Sequence, residues 1–291
     1  MNERLRRAAT AALWALLALA AGRAAAEPAV WSAQGEGATV YLFGSVHVLP
    51  PGGFGLRGAL AEAWRASARV CFEIEPAKDS VEEIAALTLA RAIDPDGRDL
   101  FELMGPDADR ARALAVTAGI ELAPLAAFEP WFAGIMISVA ALQEHGYDVA
   151  HGVEEILEST AQAEQKPICG LETVDEQLGF LDGLSAPIQR EILLQSLAEA
   201  ADIEAVMGRM LAAWQAGDAA AILRQVEEEF EEYPELADRL LYERNERWAG
   251  QVEEMIAAGE DVLLVVGAAH LVGERGLPAL LARRGFQVER L

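Results

Sequence analysis

Asp261-Val262-Leu263-Leu264-Val265-Val266-Gly267-Ala268-Ala269-His270, near the carboxyl terminus, repeats the pattern of Ala38-Thr39-Val40-Tyr41-Leu42-Phe43-Gly44-Ser45-Val46-His47 near the amino terminus. Each is an apolar run leading into Gly-x-x-His. Short β-branched and aromatic runs that stop at glycine are the pattern of buried parallel strands leaving a sheet. Each histidine then emerges just past a strand's carboxyl end, where open α/β sheets place their ligands. Glycine there lets the backbone bend sharply or be approached closely. Taken singly, either motif is equally the mark of a buried histidine bonded to backbone. The duplication takes in two of the chain's four histidines, and it favours a joint role, such as two neutral imidazoles holding a divalent ion.

Working outward, residues 29–43 predict two strands around the turn Gln34-Gly35-Glu36-Gly37, residues 56–67 a helix, and residues 69–74 a third strand. From residue 80 the apolar spacing turns helical, opening on a capping box, Ser80 with Glu83, and broken at Asp94-Pro95-Asp96-Gly97 and Gly105-Pro106. Residues 166–170 predict another strand. Helical patterns follow over 186–216, 218–232 and 234–258, before the last strand, loop, helix and strand. The expected fold is α/β: a mixed central sheet built from both ends of the chain, with large helical insertions at about 80–165 and 185–258 that roof the site.

A chain of 291 residues with 53% hydrophobic content can bury a substantial core, and residues 27–291 are expected to form a single domain. The start differs. Arg4, Arg6 and Arg7 precede an apolar run over 8–21, and Ala24-Ala25-Ala26 lies before Glu27-Pro28, which predicts a signal peptide over residues 1–26. The run is shorter than the roughly 20 apolar residues that span a bilayer. The expected product is an exported chain, periplasmic or secreted, without stable membrane insertion. Net charge is −24, and the removed segment carries four arginines against one glutamate, so the mature chain is more acidic still. That balance excludes nucleic acid and anionic membrane surfaces as partners. Much of the acid, as in Glu227-Glu228-Glu229-Phe230-Glu231-Glu232, reads as a solvated helix face. Cys71 and Cys169 each sit inside an apolar run and are expected to be unpaired, behaving as small hydrophobes.

Carboxylates supply the rest of a candidate site. Glu73 and Glu75 close the strand Phe72-Glu73-Ile74-Glu75 at period two, on one face, and an acid ending a buried strand is costly unless paired, metal-bound or solvated. Glu73, the deeper, is the first candidate for metal ligand or general base, with Glu75 second. Glu172 follows another strand and is a further ligand candidate, or the cap of the helix beginning at Asp175. A His/His/carboxylate set with an open position suits a divalent ion that activates water. Imidazoles favour zinc and added carboxylates harder ions such as manganese. No His-Glu-x-x-His, Gly-x-Ser-x-Gly or phosphate-binding glycine loop is present. Ser45 is a weak alternative nucleophile. His145 and His151 flank Gly146-Tyr147-Asp148 and read as solvated loop residues.

The blocks Leu42-Phe43-Gly44-Ser45-Val46-His47-Val48-Leu49-Pro50, Phe72-Glu73-Ile74-Glu75, Gly152-Val153-Glu154, Lys166-Pro167-Ile168-Cys169-Gly170-Leu171-Glu172-Thr173, Glu243-Arg244-Asn245-Glu246-Arg247-Trp248 and Val266-Gly267-Ala268-Ala269-His270-Leu271 resemble the ordered motifs of the TraB/GumN family. They span essentially the whole mature chain. The resemblance implies kinship with the TIKI metalloproteases, which carry two Gly-x-x-His motifs plus a Glu and depend on manganese or cobalt, and more distantly with erythromycin-esterase-like enzymes. It places metal or catalytic roles on His47, His270 and Glu73, and makes Arg244 and Asn245 candidates for substrate binding or oxyanion stabilisation. Ser45 replaces the family's usual Thr, and Glu154 an Asp often found after Gly-Val. Helical spacing of Arg244 and Trp248 is equally that of an arginine covering an aromatic ring.

The expected function is therefore a metal-dependent hydrolase, a peptidase in the first instance, acting on a peptide or small molecule. The alternative is a non-catalytic protein sequestering a peptide, metal or haem-like ligand, because fold kinship does not fix activity.

Overall fold

The computed structural model describes residues 27–75 and 80–291; the expected signal peptide lies outside the described residues. The two apolar runs become β2 (Ala38–Ser45) and β5 (Val262–Gly267), paired in parallel. Around them stand β1 (Val30–Gly35), β3 (Arg69–Ile74), β4 (Ile168–Glu172) and β6 (Gln287–Arg290). The six form one sheet of order β4-β3-β5-β2-β1-β6, parallel from β4 to β2 and antiparallel at β1 and β6. The mixed sheet drawn from both chain ends is thus the expected one. A two-residue hairpin, Glu36-Gly37, joins β1 to β2, and Gly37 takes the positive φ of 99° that such turns require.

Period-two alternation explains why the central strands are apolar throughout. On β5, Leu263 and Val265 face a core shared with Phe43, Val70, Phe72, Trp64 and Trp214, while Val262, Leu264 and Val266 face a second core with Val40, Leu42, Trp248 and Leu277. Helices cover both faces, so neither can be polar. A third core, including Leu100, Met104, Ile137, Leu193 and Leu197, holds the helical insertion together.

The expected helices form, with instructive differences. Ser80 and Glu83 make the anticipated capping box on the helix Val81–Ala92. The pattern over 186–216 is broken by a 3-10 turn, Ala200–Asp202, into Ala186–Glu199 and Ile203–Gln215. The pattern over 234–258 contains a π turn, Asp238–Tyr242, immediately before the helix Glu243–Ala257. Such widened turns are frequent at functional sites. β4 starts two residues later than expected, because the Lys166 N–H donates to the Ala161 carbonyl at the end of the preceding helix (2.8 Å) and Pro167 has no N–H to give the ladder. Among the described residues no helix is long and apolar enough to cross a membrane.

The cysteines correct an expectation. Cys71 and Cys169 form a disulfide, because β3 and β4 pair in the register that sets these residues directly opposite, with Cα atoms 4.4 Å apart. Each residue read as an apolar strand position, which it is; that the two strands are neighbours was not visible locally. The bridge closes a loop of 98 residues. Its removal, as the Cys71→Ala, Cys169→Ala double substitution, is expected to cost about 4 kcal/mol. Chemical denaturation checks this, and superimposable curves for parent and variant would refute it.

Candidate functional site

Parallel strands deliver their carboxyl ends to one edge of the sheet, and here that edge collects Ser45 from β2, Glu73 from β3, Glu172 from β4 and Gly267 from β5. The two Gly-x-x-His segments pair with an offset of one residue: Gly44 lies opposite Val266, and Ser45 opposite Gly267. Gly44 is needed for space, since a Cβ there would come within 3.0 Å of Ala268 Cα in the second motif. His270 follows β5 in a 3-10 turn, Ala268–Leu271. Both histidines, Glu73, Arg244 and Ser45 line a cavity of about 930 Å³ roofed by helices of the insertion.

Arg244 is the centre of charge. Its Nη2 donates to Glu73 Oε2 at 2.6 Å, its Nε to Glu172 Oε2 at 3.0 Å, and its Nη1 to the Leu240 carbonyl at 3.0 Å, inside the π turn. Arg247, one turn further along the same helix, donates to Glu172 Oε1 at 2.6 Å. The Arg244 guanidinium also lies 4.6 Å from the centre of the Trp248 ring. Of the two readings of Arg244, the ring contact is present, but the arginine that makes it is buried among acids rather than lying on the surface. Glu172, with both oxygens engaged by arginines, serves as their counter-ion. The cap of the following helix is Thr173, which makes a capping box with Glu176.

Glu73 is buried, yet well served. Its Oε1 accepts the Gly267 N–H at 2.7 Å, and Gln177 Nε2 donates to Oε2 at 3.2 Å. Burial alone would raise its pKa. Positive charge at His270 when protonated, at Arg244 and at His47, with the Gly267 amide, more than offsets this and lowers the carboxyl to about 2. Glu75, half-buried just past β3, is not among the residues lining the cavity.

The two histidines are held in the same way by different partners. His270 Nδ1 lies 2.7 Å from Asn245 Oδ1, and Asn245 donates from Nδ2 to the carbonyls of His270 (3.3 Å) and Arg275 (2.9 Å). That network assigns the proton to Nδ1. His270 Nε2 then carries the lone pair; it accepts from Arg244 Nη1 at 3.3 Å and lies 3.8 Å from Glu73 Oε1. Asn245 is fully buried, so its partner is the imidazole rather than anything in the cavity. His47 Nδ1 pairs with Glu154 Oε1 at 2.7 Å, which likewise leaves Nε2. Ser45 donates its hydroxyl to the same oxygen at 2.6 Å, so that hydroxyl is committed as a donor rather than poised as a nucleophile. His145, exposed with its Nδ1 on the Ala141 carbonyl, and His151 do not line the cavity.

The imidazoles titrate in opposite directions. Burial and the nearby Arg244 charge outweigh Glu73 at His270 and lower its pKa to about 3. At His47 confinement also opposes charge, but the Glu154 hydrogen bond and charge prevail and raise it to about 9. Solvent in the cavity reaches 66% of the His47 side chain and screens that pair. A folded-state pKa below the unfolded value gives stability that is present above the unfolded pKa and lost as pH falls. His270 therefore gives an acid limb that opens as pH drops below about 6.5, with Glu73 adding to it below its ordinary value of 4.5. Unfolding free energies from urea titrations between pH 7 and 4 should decline with a slope approaching about 1.4 kcal/mol per pH unit near pH 5. His47, raised to about 9, has the opposite sign and acts only above about pH 6.5, so a flat profile over pH 6 to 5 would show that His270 is not held neutral.

The donor chemistry fits a divalent ion in part. His270 Nε2 and Glu73 Oε1 face each other, and His47 offers an Nε2 freed by Glu154, the arrangement second-shell partners give to ligating histidines. Glu172 does not fit, because Arg244 and Arg247 occupy it. As placed, no group of three or more His, Cys, Asp or Glu among the described residues is arranged to hold a metal ion. Glu154, Gln177 and Arg247 join the site without a role read from the sequence, although Glu154 and Arg247 lie inside the blocks Gly152-Val153-Glu154 and Glu243-Arg244-Asn245-Glu246-Arg247-Trp248.

Neither a curated protein nor a solved structure matches the chain. The model of the TraB/PrgY/gumN family matches residues 29–290, nearly the whole length and every strand and helix described above. The chain belongs to the TraB/PrgY/gumN family.

Proposed function

We propose that the protein is an exported metal-dependent hydrolase acting on peptides. The observation that carries this reading is the pair of cavity-lining histidines held through Nδ1, beside an ionised glutamate at the mouth of parallel strands; an ion would take the place of the Arg244 contact on His270 Nε2. His47, His270 and Glu73 would hold the ion, with manganese or cobalt favoured by the family resemblance and zinc an alternative. A divalent ion held there would polarise a carbonyl and lower the pKa of water. Glu73, with a pKa of about 2, suits an anionic ligand better than a proton acceptor at neutral pH. His47 must give up its proton before ligating, so metal uptake should weaken toward low pH.

The cavity wall supports a peptide as substrate. Met207, Met210, Trp214 and Phe230 give it apolar surface, and Glu199, Glu228, Glu229 and Glu232 outnumber Arg209 and the already paired Arg244. Charge complementarity favours a ligand with basic and apolar side chains. Export is supported by the disulfide, which persists in oxidising compartments.

The test is elemental analysis of the purified chain and of its His47→Ala, His270→Ala double variant after loading with manganese, cobalt or zinc, followed by a peptide-cleavage screen. Near-stoichiometric metal in the parent alone, with metal-dependent cleavage, is expected. Metal in neither would overturn the hydrolase reading and leave a non-catalytic binding protein.

A further inference from the structure

Three consecutive residues of the helical insertion each touch the first Gly-x-x-His turn. Gly152 packs so tightly on it that a Cβ would stand 2.1 Å from the His47 carbonyl oxygen. No side chain fits there, and Gly152 has ordinary extended backbone (φ −60°), so the requirement is for space rather than for an unusual dihedral. Val153 donates its N–H to the Val46 carbonyl at 3.1 Å, and its side chain is fully buried in the core that contains Val46 and Leu49. Glu154, in the first turn of the helix Val153–Glu164, then reaches both side chains of the turn, accepting from Ser45 Oγ and pairing with His47 Nδ1 through one oxygen, Oε1. Its other oxygen, Oε2, is buried and without a hydrogen-bond partner among the described residues. The carboxylate is therefore fixed by these two contacts and is not shared with another side chain.

We propose that Gly152-Val153-Glu154 is a clamp that positions His47, and that Glu154 is the positioning residue that engages Nδ1 and reserves Nε2 for the cavity. Backbone contact from Gly152 and Val153 sets the height of the turn, and Glu154 sets the rotation of the ring. His47 needs such a clamp more than His270 does. His270 lies in a buried turn and is wedged against Trp248, with ring centres 4.5 Å apart. The ring of His47 is mostly accessible, so packing leaves it free to rotate and only a directional hydrogen bond can fix it. The clamp also couples the insertion to the sheet, because the residue that orients the histidine belongs to the insertion. Ligation by the oriented Nε2 rests on the hydrolase reading; the orientation itself does not.

The test uses the metal-free full chain with 15N-labelled histidine, in which His47 is identified by the loss of its signals in His47→Gln. Glu154→Gln should abolish the low-field Nδ1–H resonance of His47 while leaving the His270 signals and the circular dichroism melt near those of the parent. Glu155→Gln, an exposed neighbour on the same helix, should change neither histidine. Should Glu154→Gln fail to fold, Gly152→Ala gives the same readout, since its methyl must displace the His47 backbone with Glu154 intact. Cobalt titration supplies an independent measure: Glu154→Gln should weaken binding about 10- to 100-fold. Unchanged His47 resonances in both variants would overturn the proposal. A shifted His47 with no cobalt binding even in the parent would support the clamp and sink the metal reading instead.

Discussion

Replacing Arg244 with Met is expected to lower the unfolding free energy by about 3–5 kcal/mol, the range for breaking a buried ion pair by removing one partner. The reason is what remains. The side chains of Arg244, Glu73 and Glu172 are each no more than 10% exposed, and the guanidinium joins the two carboxylates at 2.6 and 2.9 Å. Arg247 would still serve Glu172, but its side chain is 46% exposed, and among the described residues it makes no ion pair with Glu73. Burial would then weigh more heavily on the carboxyl of Glu73, because one of the positive charges that offset it, and its 2.6 Å hydrogen bond, would be gone while His270, His47 and the Gly267 amide stay. Methionine fills much of the volume and keeps the contact with Trp248, so a lost cavity term is not the source of the effect. Arg244→Lys keeps the charge without the fork and should fall between parent and Met. Urea denaturation at pH 7 decides it: a loss under about 1 kcal/mol for Arg244→Met would mean that the acids are solvated after all.

Glu73→Gln is expected to leave the fold nearly intact and to abolish function. Glutamine keeps an oxygen for the Gly267 N–H, and Arg244 keeps Glu172, so the stability cost should be smaller than for Arg244→Met. The negative charge, however, is lost from the point nearest His270. If the hydrolase reading is right, turnover should drop by a factor of about 100 or more, together with bound metal, because a carboxyl with a pKa of about 2 acts as a ligand. Metal retained with turnover lost would instead assign Glu73 as the proton acceptor. Unchanged turnover would remove Glu73 from the chemistry altogether.

Much of this arrangement was legible in the chain. The apolar runs closing on Gly-x-x-His predicted β2 and β5, and because both proved parallel neighbours their histidines share a sheet edge. Glu73 was legible for the same reason: an acid ending a buried strand must have a partner. Glu172 was legible as an acid at a strand end, but not as the counter-ion of Arg244 and Arg247, which approach from a helix more than seventy residues away in sequence. Asn245 was singled out as a residue to face substrate, yet its helix turns it inward to hold His270. The π turn before Arg244 left no mark in a pattern that reads as one continuous helix.

The sequence by itself determined the strands, most helices, the α/β class and the four acids and bases at strand ends, because period-two and helical spacing are local properties of the chain. Only the tertiary structure decided which partners those residues meet: the Cys71–Cys169 bridge, the arginine between Glu73 and Glu172, and the carboxylate of Glu154 on His47. Each joins residues about seventy to a hundred and seventy positions apart, and such pairings follow from strand order and helix packing, which no local spacing encodes.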